Sequence, residues 1–310
     1  MTIVGLDGWR FAFITLAVIS ALIGAAIYLF GKDPVRGGTE EALRGVAQES
    51  EASYQISRAD IKKIMTNRTY VTILTQGVIG TIPWAALAFL IAWFEYIGFD
   101  GFMAAIIFAV TAMGAAVGNM FGGMIGDKAA RWNPDKGRIL IAQISVASGI
   151  PLTIVIFWLL PRSTDLMLLY MTVGFLTGFM IIWTLPGTNN PIISEIFEPE
   201  IRSSAYAFDR LFEGSVAAGG TLVVGFLAQI FFGYIDTQGV TIADLPEATR
   251  MTNVNAIADA MVIPMVIPWI FCLILYTLVY ITYPKDKLAA QDALLARREA
   301  ILKRQQIDQL

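Results

Sequence analysis

The chain has no histidine and a single cysteine, Cys272. The first absence excludes imidazole metal ligands and histidine-based acid–base chemistry. The second excludes an intrachain disulfide and any Cys-x-x-Cys zinc or redox site. Charge is scarce as well. Only 15% of the 310 residues are charged, against 56% apolar, where a soluble domain carries roughly 25% charged residues. The net charge of −3 offers no broad basic surface to nucleic acid. No metal, cofactor or nucleic-acid partner is expected. With no histidine, and no carboxylates evidently paired at one depth, no reacting constellation of an enzyme emerges.

What the chain does have is long apolar runs. They come in lengths of about 20 residues, enough to cross ~30 Å of hydrocarbon as a helix. Continuous runs rather than alternating ones select helices over a barrel, the other structure that satisfies its backbone in lipid. The runs are Phe11–Phe30, Tyr70–Phe94, Phe102–Gly126, Ile139–Leu160, Leu166–Ile193, Leu211–Gly233 and Ala260–Tyr283. The expected fold is therefore an all-α, multi-pass integral membrane protein of about seven transmembrane helices in the lipid bilayer.

Between the first two runs lies a polar stretch, residues 31–68, with the composition of a flexible linker. Near its end Ser57 and Asp60 form a capping-box pattern ahead of Ile61, Ile64 and Met65, which share one helical face. A short helix lying on the membrane surface is expected there. Residues 285–310 alternate charged and apolar side chains and read as a cytosolic tail helix. Placing the N-terminus outside puts 19 of the 22 Lys and Arg residues in segments 31–68, 127–138, 194–210 and 285–310. The positive-inside rule assigns these to the cytosol. The expected topology is N-out and C-in.

Gly114, Gly118, Gly122 and Gly126 recur every four residues on one face of the third run. Membrane helices associate by close packing, so such a stripe invites a neighbour. The sixth run offers Gly214, Ala218, Gly219, Gly220 and Gly225 as a mate. Directly after the stripe, Asp127 stands among Lys128, Arg131, Lys136 and Arg138 in a tight loop.

The spacing Gly123-x-x-x-Asp127-Lys128-x-x-Arg131 resembles the loop signature of the major facilitator superfamily, which recurs in the second half of that fold. Gly8-Trp9-Arg10-x-x-Phe13 is similar to the opening of its sixth helix. Residues 76–89 and 189–213 resemble the seventh helix and the tenth-to-eleventh junction of its spinster-like branch. The resemblance runs from Gly8 to about Tyr283. It implies that residues 1–30 are the sixth helix of the full fold, 31–68 the central cytosolic linker, 69–284 the C-terminal six-helix bundle and 285–310 the tail. On that reading the chain corresponds to the C-terminal half of a two-lobed transporter, with a missing N-terminal half or a separate partner subunit completing it.

The resemblance also implies a cytosolic gate, drawn from Asp127, Lys128, Arg131, Arg138, Glu195, Arg202, Asp209 and Arg210. Ionisable residues inside spans are functional candidates by default. Glu213, with Asp209 and Arg210 one turn before it, reads either as a coupling carboxylate or as part of that gate at the inner end of the sixth run. Gln76 and Trp84 in the second run, Asn119 in the third, and Trp183, Asn189 and Asn190 in the fifth are candidate substrate contacts. Each tryptophan serves equally well as packing or interface anchor. Prolines at 83, 186, 191, 264 and 268 interrupt the backbone ladder where carbonyls can line a cavity.

The function expected is secondary active transport by alternating access of a small solute, with protons as a coupling ion. The spinster-like resemblance implies a lipid-like one. A non-transporting scaffold subunit is the alternative. A seven-helix receptor shares the topology, but the outer-loop disulfide usual in that class cannot form here.

Overall fold

The computed structural model describes residues 2–3, 6–32, 55–237 and 239–308. Most of the expected linker, 33–54, lies outside the described residues. Among those described, seven helices are long and apolar enough to cross a membrane. They are Gly8–Phe30, Arg68–Ile97, Gly101–Trp132, Gly137–Leu159, Thr164–Ile196, Pro199–Ile230 and Glu247–Lys303. The protein is an all-α, multi-pass integral membrane protein. Two two-residue strands, Thr2–Ile3 and Leu6–Asp7, pair antiparallel ahead of the first helix. They form no layer of the fold.

The first span is one continuous helix within a unit that ends at Ala52, and none of its residues is buried there. The second unit, Ser53–Leu310, holds the other six spans. It opens with the helix Arg58–Thr66, whose start is the expected capping box. The Asp60 backbone N–H donates to Ser57 Oγ at 3.2 Å, and the Ser57 N–H donates back to the Asp60 carboxylate at 2.8 Å. Ile64 is fully buried and Ile61 and Met65 partly so, so one face of this helix packs into the bundle. Asn67 then caps the second span through the Tyr70 N–H, and Asp100 caps the third through Met103.

Prolines and glycines shape the spans. The second breaks at Thr81, just ahead of Pro83, and resumes through a 3₁₀ turn at Leu87–Phe89. It ends at Gly98, whose φ of 121° suits only glycine. The fourth and fifth spans each carry a π-helical turn, Val155–Leu159 and Leu185–Asn189. The latter contains Pro186, which has no N–H to give the ladder.

Two span starts differ most from the sequence reading. The sixth helix begins at Pro199, not Leu211, and the seventh at Glu247, not Ala260. Charged residues in their first turns lower the apolar signal without ending the helix. Arg210, assigned above to an inner loop, consequently lies well inside the sixth span.

The glycine stripe is a packing seam, but its mate is the fifth span and not the sixth. A Cβ on Gly114 or Gly118 would strike the backbone of Phe175 or Phe179, and one on Gly126 the backbone of Gly187. The fifth span answers with its own glycines, since a Cβ on Gly178 would strike the Thr111 carbonyl. In the sixth span Gly214 and Gly219 face open space. At those two positions glycine frees a surface, whereas a Cβ on Gly220 would strike Ala85 of the second span.

Candidate functional site

Two polar regions interrupt the apolar bundle. One lies at the end where the basic segments gather. Arg138, at the start of the fourth span, sits 2.9 Å from Asp127 and 3.2 Å from Glu195. It also donates to the Gly187 carbonyl at 3.3 Å. Glu195 takes Lys287 at 3.1 Å and the Tyr283 hydroxyl. Around this hub, Lys63 of the linker helix pairs with Glu198 at 2.6 Å and Arg297 of the tail with Glu200 at 2.6 Å. The Asp286 carboxylate accepts from the Thr69 N–H at 3.0 Å. Parts of the four segments singled out by charge thus meet at one end, termed here the basic end. Asp127, Arg138 and Glu195 join in it. Lys128 and Arg131 are exposed beside it, and Arg202 donates to the Phe197 carbonyl at 2.8 Å. Asp209 and Arg210 are not part of it.

The second region lies deeper. Asp209 follows Pro199 by ten residues, which is ~15 Å along a helix. Its side chain is 1% exposed. Arg210 reaches Asp209 at 2.8 Å and Glu213 at 2.7 Å, so two carboxylates one turn apart share one guanidinium. The sequence reading grouped these three residues but placed them at the inner end of the span, not at this depth. Asp209 Oδ1 is buried with no hydrogen-bond partner among the described residues. Gly77 of the second span lies against Glu213, and a Cβ there would collide with the carboxylate. Glycine at 77 makes the slot that Glu213 fills.

Next to Gly77, Gln76 enters a buried network at the same depth. Asn189 donates to Gln76 Oε1 at 2.9 Å. The Tyr276 hydroxyl lies 2.8 Å from that oxygen and 2.9 Å from Asn189 Oδ1, two acceptors for its one proton. Gln76 Nε2 points at Cys272 Sγ, 3.4 Å away. The four residues come from the second, fifth and seventh spans, and every one is buried. Buried polar groups require such partners, since an unmade hydrogen bond there costs about 1–3 kcal/mol. The π-turn at Leu185–Asn189 and the Pro191 that follows it set the local path of the backbone that carries Asn189.

The other candidates stand apart. Trp84 and Asn119 are exposed and take no part in the network. Trp183 packs into the glycine seam against Gly122 and Phe179, its indole N–H unpartnered among the described residues. Asn190 contributes its backbone carbonyl, which accepts from Tyr206 at 2.5 Å. Sequence reasoning missed Tyr276, Tyr283, Lys287, Lys63 and Arg297. The spacing of Tyr276, Tyr280 and Tyr283, one helical face of the last span, was the available signal for the first two.

The opposite end is closed differently. The Trp93 indole donates to the Val254 carbonyl at 3.1 Å, and Tyr96 and Tyr234 meet hydroxyl to hydroxyl at 2.6 Å. Asn253, fully buried, clamps both the N–H and the carbonyl of Ile235, at 2.8 and 3.0 Å. Arg162 caps the fourth span's end through the Leu160 carbonyl at 3.0 Å and lies over the Trp93 ring.

A bundle of apolar spans with a mid-depth polar layer is the architecture of a multi-pass membrane protein built around an interior site. The family model of the Major Facilitator Superfamily matches residues 1–221, and the chain belongs to that superfamily. Its fold is similar to the crystal structure of a bacterial homolog to the human lysosomal transporter Spinster, in an inward-facing and unoccupied conformation. The TM-score is 0.62 at 15% identity, over 92% of this chain and 62% of that one. The chain thus spans less than two thirds of that structure's length. No curated protein matches the sequence.

Proposed function

We propose that the chain forms one lobe of a secondary transporter of the spinster-like type, moving a small, lipid-like solute by alternating access. The observation that carries this reading is the polar layer at mid-depth. A guanidinium ~16 Å inside a helix whose side chain is 46% exposed cannot face hydrocarbon without a cost of at least ~2.5–3.5 kcal/mol. The face of the sixth span that bears Arg210 is therefore the wall of a wet or protein-lined pathway. Exposed Leu211 and Phe212 flank it and give that wall the mixed character an amphipathic solute requires. Between two lobes is where carriers of this kind place their substrate site, and an N-terminal half or a partner subunit supplies the facing wall.

In this reading the basic end is cytosolic. Its ion pairs, with the Thr69–Asp286 hydrogen bond, tie the second to seventh spans into a body that rocks as a unit. Glu213 and Asp209 are the proton-coupling carboxylates, held by Arg210 and desolvated by Gly77 and the second span. Gln76, Asn189 and Tyr276 hold the bundle's interior in register behind them.

The test is flux. The chain, purified with whatever binds it, is reconstituted in vesicles, and uptake of a fluorescent lysophospholipid is followed with and without a pH gradient. Glu213→Gln is expected to abolish the gradient dependence and slow uptake at least tenfold. Uptake with unchanged pH dependence removes Glu213 from coupling. Absence of uptake together with a fixed protein partner turns the reading to the scaffold subunit.

A further inference from the structure

Asp259 lies on the last helix near the end opposite the basic one, and its surroundings differ from those of the ion-paired carboxylates described above. Its one hydrogen bond among the described residues comes from the Trp158 indole, at 2.9 Å. No Lys or Arg among them pairs with it. At that end Arg162 is turned into backbone carbonyls and over Trp93, and Arg250 Nη1 lies by Gly98. Asp259 is only partly buried and Trp158 is 53% exposed. The pair therefore opens to the outside of the bundle with its negative charge uncompensated.

Depth says what lies outside. Asp259 precedes Asp286, the helix position at the basic end, by 27 residues, or ~40 Å of helix. That is about the full thickness of a bilayer with its headgroups. With Asp286 in one headgroup layer, Asp259 and Trp158 stand in the other, the level where tryptophan is enriched. From Asp259 toward the bilayer centre, Ile263, Ile267, Ile270 and Ile274 follow on the same helical face, all exposed. This is an apolar track with an anionic head.

We infer that Asp259 and Trp158 bind the ammonium of a zwitterionic phospholipid whose acyl chain lies along Ile263, Ile267, Ile270 and Ile274. The carboxylate supplies the countercharge. The indole supplies an aromatic face, which attracts an alkylated ammonium through its quadrupole, and fixes the carboxylate through its N–H. Phosphatidylglycerol, anionic and without an ammonium, has no group to offer Asp259 and is repelled by it. The site lies outside the mid-depth layer and does not depend on the transport reading.

The experiment is thermal unfolding of the delipidated full chain in detergent, with phosphatidylethanolamine, phosphatidylcholine or phosphatidylglycerol of identical acyl chains added back. The expected result is a rise in midpoint with the two zwitterionic lipids that phosphatidylglycerol does not reproduce. Asp259→Asn is expected to erase the difference between lipids. Trp158→Phe, which keeps the ring and loses the donor, is expected to reduce it. Equal shifts from all three lipids, or an undiminished preference in Asp259→Asn, overturn the proposal. So does an equal shift from free ethanolamine or choline, which would make the site a soluble amine site and not a lipid one. Should Asp259→Asn fail to fold, lipid retention by the native protein in mass spectrometry decides between the same outcomes.

Discussion

The two ends of the six-span unit are closed by opposite chemistry. At the basic end, segments far apart in sequence are joined by charge. Lys63 pairs with Glu198, Arg138 with Asp127 and Glu195, Lys287 with Glu195, and Arg297 with Glu200. At the other end no ion pair joins segments among the described residues: the joints run indole to carbonyl, phenol to phenol and amide to backbone, and the charges of Arg162 and Asp259 meet carbonyls and an indole instead of each other. The Tyr234 phenol is held above its ordinary value of 10.0, first by burial, then by Tyr96 and by the Asp236 carboxylate. The stability it carries is whole below that ordinary value and is lost only as pH rises toward the raised one. The comparison teaches that salt and charge removal act on one end, while burial governs the other.

The largest effect is expected where charge at the basic end is least exposed. Glu195 receives Arg138, Lys287 and Tyr283, and Arg138 is only 11% exposed. Glu195→Ala leaves two cations without their shared anion, and breaking a buried pair costs about 3–5 kcal/mol. Asp127 retains part of Arg138's charge, so a loss of about 3 kcal/mol is the expectation. Thermal unfolding in detergent at low and high salt checks it. A midpoint equal to the parent's would mean that the cluster is ornament on a bundle held by apolar packing alone.

How far the sequence foretold this comparison depends on the kind of interaction. The spans were legible because hydrophobic length is a local property, and the gathering of basic segments because the positive-inside rule counts charges without needing contacts. The sixth helix was cut short at Leu211 because Glu200, Arg202, Asp209 and Arg210 dilute its first twelve residues, although the helix itself runs through them. The glycine stripe was visible, but its partner was not. Both the fifth and sixth spans offer small residues, and only the folded geometry shows Gly178 meeting Thr111. Within the site, Gln76 and Asn189 stood out as amides in apolar runs. Tyr276, which joins them, did not, because one tyrosine in an apolar run that holds several gives no local sign of which partners it meets. Glu213 was noticed as an acid, yet its depth became apparent only with Pro199 as the helix start.

A smaller effect is expected from the neutral end. Asn253→Ala removes both hydrogen bonds to Ile235 and leaves a void at a fully buried position. Neutral hydrogen bonds contribute about 1 kcal/mol each, and the Ile235 backbone, in a partly exposed loop, regains water. A net loss of about 1–2 kcal/mol follows. Its sharpest feature is that it should be the same at low and high salt. A loss that shrinks in high salt would show that ion pairing holds this end too, and the contrast between the ends would fail.

The smallest effect distinguishes the hub from its rim. Lys63 and Glu198 pair at 2.6 Å, shorter than either ion pair of Arg138, so distance alone would rank them above the hub. Exposure ranks them last: the Lys63 side chain is 53% exposed, water screens it, and an exposed pair contributes about 0.2–1 kcal/mol. Lys63→Ala should therefore lower the midpoint slightly at low salt and by almost nothing at high salt, where the screening length falls to a few ångströms. The more telling readout is amide exchange in the helix Arg58–Thr66. Its attachment rests on Ile64 in the core, so exchange there should rise little when Lys63 is removed and steeply in Ile64→Ala. If Lys63→Ala alone frees the helix, charge and not apolar burial docks it, and the rim belongs with the hub.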